Sequence, residues 1–193
     1  VNAVLERLDS DPPSLVLAEV IFPNENGLKI ARRIVEEDLP VQVLYLSIRD
    51  EMVYGIRSLQ AGASGYVMKS GSIEEILEAI RQVLEGEVAI SDAVRSQIVR
   101  RTQEPSDDLS ETLADALTDR ELEVFECLGE GLATHEIGER LYISPKTVDS
   151  HRRKIRKKMG FETNARLRHK AVLWANALGD LTAFDARRRE RGA

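Results

Sequence analysis

Over its first hundred residues the chain alternates short apolar runs with amphipathic stretches. Leu15-Val16-Leu17-Ala18, Val41-Gln42-Val43-Leu44-Tyr45-Leu46 and Gly65-Tyr66-Val67-Met68 are almost wholly apolar. Runs of that length and purity suit strands buried on both faces of a parallel sheet. Between them, Gly27 to Asp38 carries Leu28, Ile30, Ala31, Ile34 and Val35 at helical spacing, ahead of Leu39-Pro40. A second helical pattern follows Asp50 as N-cap, with Met52, Val53, Ile56 and Leu59, and stops at Gly62. A third opens on the capping box Ser72-Ile73-Glu74-Glu75 and carries Ile76, Leu77, Ile80 and Leu84 to Gly86. Strand and helix in strict alternation predict an open α/β sheet. Residues 91–102 add one more helix, capped by Ser91.

Beyond this point the period changes. Residues 101–116, with Glu104-Pro105-Ser106-Asp107-Asp108, hold almost no large apolar side chains and read as an acidic linker. From 117 everything is helical. Thr118 and Glu121 make a capping box for a helix with Leu122, Phe125, Leu128 and Leu132 on its inner side. Thr134 starts a short helix with Ile137 and Leu141, Tyr142-Ile143-Ser144 turns, and Ser144-Pro145 caps a helix that runs to Met159-Gly160. Asn164 is expected to cap a last helix carrying Leu167, Ala171, Val172, Trp174 and Leu178, ending at Gly179. The expected division is a first domain at 1–100, the linker at 101–116, a helical domain at 117–180 and a basic tail at 181–193.

Charge sharpens the division. The whole chain has 27 Lys and Arg against 33 Asp and Glu, a net −6 over 193 residues. Residues 1–100 carry −6, 101–116 carry −4 and 117–193 carry +4. A basic second half after an acidic first half points to a polyanionic partner for the second. A single cysteine, Cys127, excludes a disulfide scaffold and a multi-cysteine zinc site. No apolar run approaches the ~18 residues that cross a bilayer, and no signal-peptide pattern is present, so the expectation is a cytoplasmic protein without a membrane partner.

The helix after Ser144 carries the most chemistry. At 100° per residue, Val148, Ile155 and Met159 share one narrow arc and face a core. Lys146, Ser150, Arg153 and Lys157 fall opposite, flanked by Asp149 and Lys154. Residues 146–158 hold seven Lys or Arg and one acid. Two short helices joined by a tight turn, the second buried along one edge and basic along the other, form a helix-turn-helix suited to the major groove of double-stranded DNA. Base contacts belong near its N-terminal end. Arg152, Lys154, Arg156 and Lys158 are expected at phosphates, and the helix starts at Thr134 and Ser144 add backbone N–H donors. The competing reading is a solvated basic helix in a small bundle.

Leu117-Thr118-Asp119-Arg120-Glu121-Leu122-Glu123-Val124, Gly131-Leu132-Ala133-Thr134-His135-Glu136-Ile137-Gly138, Ile143-Ser144-Pro145-Lys146-Thr147-Val148-Asp149-Ser150-His151 and Lys158-Met159-Gly160 together resemble the LuxR-type helix-turn-helix, over about sixty continuous residues. The resemblance implies a four-helix module that binds DNA as a dimer, with the last helix contributing to the dimer contact. Where many relatives carry a base-contacting Lys after the Thr-Val pair, this chain has Asp149, which accepts from cytosine N4 and repels phosphate.

Residues 14–100 resemble the second half of a flavodoxin-like receiver of the NarL/FixJ response-regulator family, in Leu15 to Val20, Pro23 with Asn26-Gly27, Ser47, Ala61-Gly62-Ala63-Ser64-Gly65-Tyr66 and Lys69. The resemblance implies phosphorylation of an aspartate after the first of these strands, Mg²⁺ on an acidic pair further upstream, and a phosphate-reading hydroxyl, ammonium and switching aromatic at Ser47, Lys69 and Tyr66. Glu19 stands where the family has its phosphoacceptor aspartate. One methylene longer than Asp, it is expected to reach Lys69 and Ser47 permanently, giving a receiver that works without phosphorylation; alternatively it is inert and the domain is a dimerisation scaffold.

A complete receiver has a strand, helix and strand before this segment, and in the order 2-1-3-4-5 the first strand is central. The strand at 14–21 is therefore expected to show an unpaired apolar edge, unless a dimer or an unseen N-terminal segment supplies the neighbour. No acidic pair is visible, so no Mg²⁺ or other cofactor is expected. His135, His151 and Cys127 lack metal-ligand spacing. Cys127 reads as a small buried residue, Trp174 as core, and Leu181 or Phe184 as interfacial. No nucleophile triad is present and no enzyme is expected. The whole reads as a DNA-binding transcription regulator, a homodimer whose receiver controls dimerisation, with a sensor kinase or related regulator as unidentified partner. Its rival is an interaction protein that titrates related regulators through the receiver.

Overall fold

The computed structural model describes residues 1–22, 25–103, 113 and 115–176. The chain divides into two compact units, Val1–Asp107 and Asp108–Ala193.

In the first unit, elements follow in the order α1 (Asn2–Ser10), β1 (Leu15–Ala18), β2 (Ile21–Phe22), β3 (Glu25–Asn26), α2 (Leu28–Glu36), β4 (Gln42–Ser47), α3 (Glu51–Gln60), β5 (Gly65–Met68), α4 (Ile73–Leu84) and α5 (Asp92–Gln103). The three apolar runs form one parallel sheet of order β1-β4-β5, with Leu15 opposite Gln42 and Leu44 opposite Gly65. Successive strands are neighbours, as in the last three of the 2-1-3-4-5 order. Val43, Leu44, Tyr45 and Ser47 of β4 are all buried, which is why the central strand reads as a continuous apolar run. Among the described residues β1 has β4 as its one neighbour, and Leu17 is half-exposed. The antiparallel ribbon β2–β3, two residues a side, carries no periodicity that a sequence reading could detect.

The expected caps form. Asp50 accepts the Val53 N–H, Ser72 and Glu75 make a reciprocal capping box, and Ser91 accepts the Val94 N–H. Helix α5 continues through Gln103, past the expected start of the linker at 101, because no glycine or proline interrupts it there. The rest of that linker lies outside the described residues apart from 113, 115 and 116, which are helical, and Leu113 is wholly buried.

The second unit is helical: α6 (Asp119–Gly129), α7 (Thr134–Leu141), α8 (Pro145–Lys158) and α9 (residues 164–176). Leu122, Phe125, Leu128, Ile137, Val148, Ile155, Leu167 and Ala171 are buried together with Trp174, whose ring lies 5.7 Å from that of Phe125. Cys127 is also buried. The cap of α9 is Thr163, not Asn164: the Thr163 hydroxyl accepts the Arg166 N–H and its carbonyl accepts the Leu167 N–H, so Asn164 is already helical. Leu178, Gly179, Leu181, Phe184 and the tail at 181–193 lie outside the described residues.

Helix α7 ends on Tyr142 at φ 53°, in the left-handed region. The Ile143 N–H bonds the Gly138 carbonyl and the Tyr142 N–H bonds Glu139, a Schellman closure with tyrosine in the glycine position. A Cβ on Gly138 would lie 2.8 Å from the Ile143 carbonyl, so this turn closes tightly because position 138 has no side chain.

Candidate functional sites

Glu19 follows β1, Ser47 ends β4 and Lys69 follows β5, so the carboxyl ends of the three parallel strands bring them together. This is where open α/β sheets place their ligands. The Lys69 ammonium lies 2.8 Å from Glu19 Oε2, and Glu19 Oε1 accepts the Val20 N–H at 2.9 Å. Both carboxylate oxygens are thus engaged. The expected third contact is absent: the buried Ser47 hydroxyl accepts the Arg49 N–H at 3.2 Å and does not bond Glu19. The reason is local, since the loop after β4 curls its own N–H onto the serine while Glu19 Oε1 is held by its neighbour.

Lys69 also ties to β4 through its backbone, its N–H donating to the Ser47 carbonyl at 2.7 Å. Tyr66 points inward, 2% exposed, and its hydroxyl donates to the Arg49 carbonyl at 2.7 Å. A connected path therefore runs from Glu19 through Lys69, Ser47 and Arg49 to Tyr66. One member, Arg49, was not among the sequence candidates. Arg49 joins the path through its backbone N–H and carbonyl, which no residue pattern announces. Gly27 is required because a Cβ there would lie 2.1 Å from the Glu19 carbonyl oxygen.

No group of three or more His, Cys, Asp or Glu stands together among the described residues. The Glu19 carboxylate at the strand ends is already bonded to an ammonium. The residues present here do not fit a divalent cation.

In the second unit, Ser144 caps α8 through the Thr147 N–H at 3.1 Å, and the two hydroxyls share a hydrogen bond. Pro145 occupies the first helical position, where its missing N–H costs nothing. Val148 and Ile155 are wholly buried, so the opposite face of α8 is turned outward. Lys146, Arg153, Lys154 and Lys157 are exposed there, with no hydrogen bond or ion pair to another described residue, and Ser150 is half-buried beside them.

Three of the expected phosphate contacts have work inside the unit. Lys158 bonds Glu121 Oε2 at 2.6 Å, and that carboxylate is buried. Arg156 donates to the Glu162 carbonyl, and Arg152 donates to Thr134 Oγ1 at 3.0 Å and Asp149 Oδ1 at 3.2 Å. Burial alone would raise the Glu121 carboxyl, but Lys158 and the Thr118 N–H and hydroxyl outweigh it and hold it below the ordinary carboxylate value. His151 is pushed down by burial and then by Lys154. Arg120 adds a second brace, bonding Glu123 and the Leu141 carbonyl. Lys158–Glu121, Arg152–Thr134 and Arg120–Leu141 join residues from different helices, far apart in sequence, which is why helix periodicity missed them.

Comparison with known proteins agrees with both halves. The response regulator receiver domain matches residues 1–81, and the luxR family of bacterial regulatory proteins matches residues 115–171. Response regulator UvrY of Escherichia coli is 30% identical over 82% of this chain and 72% of its own length. Response regulator GacA of Pseudomonas aeruginosa is 29% identical over 83% and 74%. A solved structure of RcsB from Salmonella enterica serovar Typhimurium, bound to promoter rprA with the phosphomimetic BeF3-, shares the fold at a TM-score of 0.50 and 18% identity, over 87% of this chain and 79% of that one. A receiver followed by a LuxR-type helix-turn-helix defines a DNA-binding response regulator of two-component systems, a transcription regulator. This chain belongs to the NarL/FixJ family of those regulators. No described helix is long and apolar enough to cross a membrane.

Proposed function

We propose that this regulator acts without aspartyl phosphorylation, its receiver setting how much of the protein is dimeric and hence how tightly paired helix-turn-helix modules grip a two-fold site in double-stranded DNA. The observation that carries this reading is the Glu19–Lys69 ion pair at the phosphoacceptor position. Glu19 supplies a permanent single charge where a phosphoryl group would bring about two. Through Lys69 that charge connects to the strand end at Ser47, and through Arg49 to the inward Tyr66. Dimerisation multiplies DNA affinity through effective concentration. Lys146, Thr147, Asp149, Ser150 and Arg153 face the bases and Lys154 and Lys157 the phosphates, with the helix starts at Thr134 and Ser144 alongside.

The test compares wild type with Glu19→Gln and Glu19→Ala, reading self-association by sedimentation and selecting bound fragments from genomic DNA at two salt concentrations. Wild type should enrich a two-fold-symmetric site with steep salt dependence, and both substitutions should weaken dimerisation and site affinity together. Unchanged dimerisation and affinity in both variants would remove the built-in charge. Failure of wild type to enrich any site would favour the titrating interaction protein instead.

A further inference from the structure

Asp149 is the one acid on the outward face of α8, among cations facing a polyanion. Its surroundings give it a use. Arg152, one turn later, is only 19% exposed on its side chain. Its Nη1 carries two protons, and both are committed, one to Thr134 Oγ1 and the other to Asp149 Oδ1. Thr134 opens α7, so the guanidinium is pinned from a different helix. Asp149 Oδ1 is thereby fixed, while Oδ2 bonds no described residue and the side chain is 58% exposed.

We infer that Asp149, held by Arg152 and Thr134, is a base-reading carboxylate that selects cytosine at one position of each half-site. This inference rests on α8 as the groove helix. A carboxylate only accepts hydrogen bonds. In the major groove, guanine presents two acceptors and thymine an acceptor beside a methyl group, so both are rejected. Adenine offers its N6 donor but sets the N7 acceptor next to it, against the second oxygen. Cytosine presents the N4 amino group with no acceptor at its side. Arg152 makes the arrangement tolerable near phosphates by placing a half-buried positive charge against the acid. Lys146 and Arg153, three residues before and four after, flank Asp149 on the same face.

The test is selection from a randomised duplex library with the full chain, comparing wild type, Asp149→Asn, Asp149→Ala and Arg152→Met. Wild type should return a motif with cytosine fixed at one position per half-site, other bases there binding roughly tenfold more weakly. Asp149→Asn should move that position to adenine, whose N6 and N7 suit a carboxamide, and leave the other positions unchanged. Asp149→Ala should erase the preference at that position alone and tighten binding to random DNA. Arg152→Met should blur the same position. A wild-type motif that survives unchanged in both Asp149 variants overturns the inference while leaving DNA binding intact. Selection of no motif by wild type overturns the groove-helix reading, and the inference falls with it.

Discussion

At the scale of single residues, the decisive contacts are charges placed where water is scarce. Glu121 is buried, and its Lys158 partner reaches it from the far end of α8. Lys158→Met should destabilise the second unit by about 2 kcal/mol, less than the roughly 3–5 of a fully buried pair because Lys158 stays partly solvated. Denaturant unfolding checks it, and Glu121→Gln added to Lys158→Met should restore part of the loss. The pH dependence follows from the same groups. Glu121 has a lowered folded value, so its stabilisation is complete above the unfolded value of about 4.3 and fades as pH falls through the folded one. His151 is also lowered, so unfolded chains take up its proton first and stability begins to fall below about pH 6.5. An acid titration of the second unit should show both steps, and His151→Gln should remove only the upper one.

Among elements, the turn between α7 and α8 sets the geometry of the second helix of the helix-turn-helix. Tyr142 is 68% exposed and occupies a left-handed position, so its ring gives little in return for the backbone strain. Tyr142→Gly should stabilise the second unit by roughly 1 kcal/mol, measured by denaturant midpoint. Gly138→Ala should do the reverse, by about 1–3 kcal/mol, since the new methyl meets the Ile143 carbonyl. Elements like these were legible in the sequence wherever one chain segment decides its own structure. The apolar runs of β1, β4 and β5 and the caps at Asp50, Ser72, Thr118 and Ser144 all act within a few residues. The β2–β3 ribbon was not legible, because two residues a side carry no period. Nor were the tasks of Arg152, Arg156 and Lys158, since a cation on a helix looks the same in sequence whether its partner is a phosphate or a folded neighbour. The missing Glu19–Ser47 contact has a similar cause: the Arg49 N–H that claims the serine belongs to backbone.

For the molecule as a whole, two units with separate cores predict two unfolding transitions. Calorimetry should show Leu122→Ala lowering one of them and Val43→Ala the other, each by the 2–5 kcal/mol usual when a large buried side chain is truncated, at the lower end for valine. On the proposed reading Lys154 and Lys157 meet phosphates, and they lie in a different unit from the strand-end ion pair, so substitutions at either should reduce DNA affinity and its salt slope without changing receiver self-association.

The Glu19–Lys69 pair has a consequence in time. An aspartyl phosphate is an acyl phosphate that water removes, and that loss resets a signal. The carboxylate of Glu19 is joined to its chain by carbon–carbon bonds and cannot hydrolyse away. On the proposed reading, the signal that this carboxylate supplies lasts as long as the chain itself, so its duration is set by synthesis, dilution and proteolysis.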